Sequence, residues 1–266
     1  MKLIVSDLDG TIVHRNHFSK ETLETIRKIQ DSEHLFTVAT GRHLNVARDV
    51  VKAFNIKHPV ICSNGAVIYD FNKEEIIFQQ SVEHETAKKV TDLCRAKQLD
   101  VLLYTTKLVY AVTDGGFKKF TRLVDAAHVI KVKYEALPSI IEEGVTKILV
   151  IEFDQDKINA FKQALSAFDD LSFVQSQKEY LDIGHKNATK GAALLRLAEL
   201  LDVKAEDCIA IGDQDNDVTM IENAGLGIAI GSGHPVLKEK ADFVTKAFED
   251  NGFAYAMNQL LFKDNQ

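Results

Sequence analysis

Two aspartates separated by one residue, Asp7 and Asp9, close an apolar run, Leu3-Ile4-Val5, and are followed by Gly10-Thr11. A carboxylate delivered to a strand end can attack an electrophile, and a glycine there lets the chain turn without a Cβ clash. Aspartates also form turns and cap helices, so the pair alone admits both readings. Complementary groups recur later, in Thr40, in Lys190 ahead of a helix, and in Gly212-Asp213-Gln214-Asp215-Asn216-Asp217. Carboxylates with a lysine and a hydroxyl match phosphoryl transfer from a monoester. That reaction needs an in-line nucleophile, donors for phosphate oxygens, an acid for the leaving oxygen and a hard cation on oxygen ligands. Mg²⁺ suits this donor set, with carboxylates from Asp7 and Asp213 plus a backbone carbonyl.

Alternating strands and helices must position these residues. Leu3 onward reads as a strand buried on both faces, Ser19 to Asp31 as a helix capped by Ser19, and Leu35 to Ala39 as a second strand running into Thr40-Gly41-Arg42. Val46 to Phe54 is amphipathic, Val60-Ile61-Cys62 is a third strand, and Ala66 to Tyr69 with Ile76 to Phe78 reads as a hairpin. From Val82 the pattern changes to helices at Glu85 to Lys97, Phe117 to Val124 and Asp156 to Phe168, among strands at Val101 to Tyr104, Val109 to Val112, Lys147 to Phe153, Phe173 to Gln175 and Tyr180 to Ile183. This predicts an α+β module with an antiparallel sheet. Strand–helix alternation then resumes from Gly191, through Cys208 to Ile211, Val218 to Ala224, Leu226 to Ile230 and Asp242 to Val244, before a frayed tail at Lys263 to Gln266. The fold class is therefore α/β: a Rossmann-like parallel-sheet core of residues 1–81 and 185–266, with an α+β cap inserted over 82–184.

The composition fits an ordinary globular protein, with 266 residues, 45% apolar and 27% charged. Its net charge of −7 without a basic run disfavours nucleic acid and anionic membranes as partners. No apolar stretch reaches the roughly 18 residues that span a bilayer, and the first strand follows Met1 directly, so a cytoplasmic location is expected. Cys62, Cys94 and Cys208 lack C-x-x-C spacing and read as small core residues.

Four segments in order resemble the motifs of haloacid dehalogenase superfamily phosphatases of the Cof-type branch: Asp7-Leu8-Asp9-Gly10-Thr11, Ala39-Thr40-Gly41-Arg42, Asn187-Ala188-Thr189-Lys190-Gly191 and Gly212-Asp213-Gln214-Asp215-Asn216-Asp217. Ser63-Asn64-Gly65-Ala66 and Gly225-Leu226-Gly227-Ile228-Ala229 resemble the same branch, and the likeness spans essentially the whole chain. It implies that Asp7 is the nucleophile, forming an aspartyl-phosphate, and that Asp9 is the acid-base. It further implies that Thr40 and the Leu8 and Gly41 N–H groups hold phosphate, joined by Arg42 and Asn216. Lys190 would neutralise transition-state charge. Asp7, Asp213 and the Asp9 carbonyl would ligate Mg²⁺, with Asp217 supporting the metal shell or Lys190. The implied substrate is a small phosphorylated metabolite such as a sugar phosphate.

Several roles stay open at this level. Asp217 could cap the helix that starts at Val218, and Arg42 could pair with a carboxylate instead of substrate. Asn187 could orient Lys190 or reach substrate, Asp215 occupies a variable place, and His14, Arg15 and His17 read as solvated loop residues. Tyr104, Lys131 and Lys133 are the cap's candidate contacts, the lysines with a surface position as the alternative. A phosphomutase of the phosphomannomutase type is the nearest rival activity. A catalytically weak phosphate-binding regulator is another, whereas a receiver domain is much shorter and phosphorylates a later aspartate.

Overall fold

The computed structural model describes residues 1–15, 17–113, 115, 118 and 129–262. They form two compact units: Met1–Gly41 with Ala47–Ile77 and Thr189–Gln266, and Arg42–Val46 with Phe78–Ala188. The chain begins with β1 (Leu3–Ser6), α1 (Lys20–Gln30), β2 (Leu35–Val38), α2 (Leu44–Ala53), β3 (Val60–Cys62), β4 (Val67–Asp70) and β5 (Glu75–Gln79). Next come α3 (His84–Ala96), β6 (Asp100–Tyr104), β7 (Val109–Ala111), β8 (Val129–Lys131), α4 (Leu137–Glu142), β9 (Lys147–Ile151), α5 (Gln155–Leu165), β10 (Leu171–Gln177) and β11 (Tyr180–His185). The chain then returns through α6 (Lys190–Leu200), β12 (Cys208–Gly212), α7 (Val218–Asn223), β13 (Leu226–Ala229), α8 (Pro235–Lys240), β14 (Phe243–Val244) and α9 (Gly252–Leu261).

The first unit is built on a five-stranded parallel sheet, ordered β14-β13-β12-β1-β2. Its central strands lie between helices, which is why Leu3, Ile4, Val5, Ala210 and Ile211 are fully buried and read as unbroken apolar runs. Each of the leucine, isoleucine and valine side chains among them contributes about 1.5–3 kcal/mol on burial. Ser19 caps α1 by accepting from the Thr22 N–H at 3.0 Å. The register pairs Ser6 with Ile211 on one side and with Val38 on the other. Asp7, Asp213 and Thr40 thus all lie one or two residues past neighbouring strand ends. Strand order reverses at β1, and open α/β sheets bind ligands at the carboxyl edge of such a switch point.

The second unit carries a six-stranded sheet ordered β10-β11-β9-β6-β7-β8. All its pairs are antiparallel except β7 with β8. The antiparallel sheet expected is thus present, with one parallel pair added by β8, whose three residues are too few to show alternation in sequence. Residues of α3, α4 and α5 join alternate residues of β6, β9 and β11 in one apolar cluster, with Val90, Ile140, Phe161, Leu103, Val150 and Leu181 among them. The remaining alternate positions, including Leu102, Tyr104, Val109, Leu149, Ile151 and Tyr180, form a second cluster. Among the described residues no helix is long and apolar enough to cross a membrane. Apart from Lys118, the helix expected near Phe117 to Val124 lies outside the described residues, as does the tail at Lys263 to Gln266.

Candidate active site

Lys190 is the first residue of α6, placed there because Thr189 caps the helix, its Oγ1 accepting from the Ala192 N–H at 3.1 Å. Its side chain is fully buried, and Nζ donates to Asp7 Oδ1 at 2.5 Å and to Asp217 Oδ1 at 2.6 Å. Burial would lower the Lys190 ammonium, but the charges of Asp217 and Asp7 outweigh it and hold the group above its ordinary value. Asp7 itself is pushed well up, chiefly by burial and further by Asp217, Asp213 and Asp9, against the opposing pull of Lys190.

The second oxygen of Asp217, Oδ2, accepts the backbone N–H groups of Asp213 and Gln214, each at 3.0 Å. Asp217 therefore ties the end of β12 to Lys190, and its side chain makes no cap bond to α7. Asp213 lies beside it, with Oδ1 accepting from Thr11 Oγ1 at 3.2 Å and Oδ2 from Gln214 Nε2 at 3.1 Å. Burial, then the Asp217 charge, pushes Asp213 up to about 6. Gly10 makes this approach possible. Its φ is +92°, and a Cβ there would lie 2.2 Å from Asp213 Oδ2.

Asp7, Asp213 and Asp217 can each present one carboxylate oxygen within 4.8 Å of the others. Three carboxylates facing one ammonium leave net negative charge in a buried place, and burial first, then the neighbouring carboxylates, raise Asp7 and Asp213. An oxygen-only donor set of this charge fits a hard divalent cation.

Thr40 is fully buried past β2; its N–H donates to the Ile61 carbonyl at 2.8 Å and its carbonyl accepts from the Asn64 N–H at 3.0 Å. A Cβ on Gly41 would lie 2.8 Å from Asn64 Oδ1, the atom that also accepts from Asn216 Nδ2 at 3.0 Å. Asn64 thus links the segments holding Gly41 and Asn216 while in the left-handed region, at φ 58°. Sequence reasoning gave it no role, although its place two residues past a strand end, before a glycine, was a usable signal. Thr11 and Gln214, which hold Asp213, were likewise missed. Leu8 is buried, and its carbonyl accepts from the Thr11, Ile12 and Val13 N–H groups, fixing the loop around the exposed Asp9. Arg42 and Asn187 belong to the second unit, and Lys131 is exposed on β8.

The model of the haloacid dehalogenase-like hydrolases matches residues 4–257. The Bacillus subtilis (strain 168) protein 5-amino-6-(5-phospho-D-ribitylamino)uracil phosphatase YwtE is 31% identical over 284 aligned positions, covering 98% of each chain. A solved haloacid dehalogenase-like hydrolase from B. subtilis superposes with a TM-score of 0.86 at 26% identity, covering 98% of this chain and 100% of that one. The subclass IIB sugar phosphatase BT4131 shares the fold, with a TM-score of 0.85 at 21% identity over 97% of this chain and 98% of its own.

Proposed function

The chain belongs to the haloacid dehalogenase-like hydrolases and is a phosphatase, a phosphoric monoester hydrolase, and from that premise we propose that it is Mg²⁺-dependent and hydrolyses a small phosphorylated metabolite through an aspartyl-phosphate. The observation that carries this reading is one buried lysine bonded to both Asp7 and Asp217, with Asp213 adjoining, at the ends of neighbouring parallel strands.

An Asp7 carboxylate oxygen attacks phosphorus while the bond from phosphorus to the ester oxygen breaks, and the Asp9 carboxyl gives its proton to that leaving oxygen. A water then attacks the phosphoryl group, Asp9 takes the water's proton, and the bond to Asp7 breaks to release inorganic phosphate and restore the carboxylate. Lys190 balances charge on the phosphoryl oxygens and keeps Asp7 oriented. Thr40, the N–H groups of Leu8 and Gly41, and Asn216 hold the phosphate. Asp7, Asp213 and the Asp9 carbonyl would hold Mg²⁺, with Asp217 bracing that set through Lys190 and the backbone. When bound, the cation offsets the repulsion between Asp7 and a dianionic phosphate and polarises the phosphate oxygens.

Residues 1–81 and 185–266 serve as the catalytic core, and residues 82–184 as a cap that supplies specificity. The Bacillus relative is named for an ester whose phosphate sits on a ribityl chain, which favours hydroxylated organic groups among the candidate substrates. The test is phosphate release from a panel of sugar, polyol, nucleotide and cofactor monoesters with Mg²⁺. Hydrolysis of one class is expected, whereas isomerised hexose phosphate without phosphate release would assign a mutase.

A further inference from the structure

Ser63, Asn64 and Gly65, just past β3, take three successive left-handed backbone conformations, with φ at 50°, 58° and 100°. Gly65 fits its place by lacking a side chain, since a Cβ there would lie 2.1 Å from the Thr189 carbonyl oxygen. Ser63 and Asn64 have no such freedom, and left-handed residues other than glycine are strained. Asparagine tolerates this region better than serine does, yet glycine adopts it with no strain at all. The side chain at position 64 therefore needs a reason other than the turn.

Asn64 bonds to two segments assigned above to the phosphate, and all of these residues belong to the first unit. The Asn64 N–H donates to the Thr40 carbonyl at 3.0 Å. A trans peptide points the Gly41 N–H the opposite way from that carbonyl, so this bond sets the direction of the Gly41 donor. The Asn64 Oδ1 accepts from Asn216 Nδ2 at 3.0 Å, and a Cβ on Gly41 would lie 2.8 Å from the same oxygen. An asparagine amide carries two N–H donors in one plane, so holding one fixes the direction of the other. We propose that Asn64 is a positioning residue for the phosphate: its Oδ1 anchors one N–H of Asn216 so that the second is aimed at a phosphate oxygen. This rests on the assignment of Asn216 to the phosphate above. Donors fixed before the ligand arrives need no reorganisation when it binds, and the strained turn is what carries the anchoring oxygen to Asn216.

The experiment measures kcat and KM for p-nitrophenyl phosphate, and the inhibition constant of inorganic phosphate, with Mg²⁺, in the full chain and in Asn64→Gly, Asn216→Ala and the double variant. Asn64→Gly keeps the backbone bond to Thr40 and suits a φ near 58°, so its unfolding midpoint should hold or rise. KM and the inhibition constant should each rise about tenfold in Asn64→Gly with kcat close to the wild type, because a contact made equally in the bound and transition states is weakened. Asn216→Ala should raise the inhibition constant at least as much. In that background Asn64→Gly should add almost nothing, since the two side chains act as one unit. An unchanged inhibition constant in folded Asn64→Gly, or losses that multiply in the double variant, overturns this inference and leaves Asn216 as a phosphate ligand. Should Asn216→Ala bind phosphate as the wild type does, the phosphate role of Asn216 falls and this inference with it.

Discussion

Lys190 Nζ donates to Asp217 Oδ1 at 2.6 Å, and neither side chain has any solvent exposure. Such a pair is more informative when broken than when intact. Removing one member strands the other charge in a low-dielectric place, which destabilises by about 3–5 kcal/mol. Lys190→Met should therefore lower the unfolding free energy by about that amount as well as abolish turnover, because Asp7 loses the same partner. Denaturant titration checks the first effect. A variant as stable as the wild type would mean that the carboxylates reprotonate at little cost and that the lysine does not hold the site together.

Asp7→Asn leaves Lys190 bonded to Asp217, so the fold should survive with an unfolding midpoint close to the wild type. Turnover should vanish, since an amide cannot form the acyl phosphate. Asp9→Asn should keep the nucleophile but lose about 10²- to 10⁴-fold in kcat. Rapid acid quenching with labelled substrate gives the decisive comparison: protein-bound phosphate in the wild type and none in Asp7→Asn. Substantial hydrolysis by Asp7→Asn would eliminate the covalent route.

Much of this arrangement was legible in the sequence because its positions are dictated by strand ends. Leu3 to Val5 and Cys208 to Ile211 are apolar runs of strand length, and parallel pairing brings the residues just beyond their carboxyl ends side by side. The bonding pattern was not legible. Asp217 reads in sequence as support for the metal shell or Lys190, or else as a helix cap, and only the fold shows its oxygens shared between Lys190 and two backbone N–H groups. Asn64 meets Asn216 across 152 positions of chain, a separation no local pattern encodes. The missed helices α4 and α8 have six residues each, too short for a clear period, and α9 starts at Gly252 behind a left-handed Asn251, without a conventional side-chain cap.

Gly10→Ala tests how tightly the first loop is matched to Asp213. The alanine would need φ near +92° and would press its methyl against Asp213 Oδ2. The strained backbone alone destabilises by about 1–3 kcal/mol. Displacing Asp213 by even an ångström should lower kcat by about a hundredfold. Thermal unfolding and steady-state kinetics read the two effects separately. Wild-type kcat in this variant would show that the close approach is incidental.

Burial pushes the thiols of Cys62 and Cys94 up to about 12 and that of Cys208 to about 11, in the last case with Asp207 adding to it. At pH 8 a thiol titrating near 12 is ionised in about one molecule in 10⁴, and the thiolate is the reactive form. The native protein should accordingly resist a disulfide reagent for many minutes, and three thiols should react at once in denaturant. A thiol that reacts rapidly in the native state would contradict the closed packing around it.

Asp213 links metal binding to pH. Its folded value of about 6 lies above the roughly 3.9 of an unfolded aspartate, so without metal the folded state holds this proton more tightly. A carboxyl raised on folding adds stability that is fully present below about pH 4 and is lost as pH rises through about 6, amounting to about 3 kcal/mol at most. Asp7 shifts in the same direction. In EDTA the unfolding midpoint should therefore fall between pH 5 and 7 more steeply in the wild type than in Asp213→Asn. Mg²⁺ requires the ionised carboxylate, so its affinity should weaken by about tenfold from pH 7 to pH 5, and the stabilisation it gives should be largest above pH 6. Activity should disappear in EDTA and return with Mg²⁺. If Mg²⁺ raised the midpoint equally at pH 5 and pH 7.5, or if Asp213→Asn kept the full response, the cation would be held by other groups.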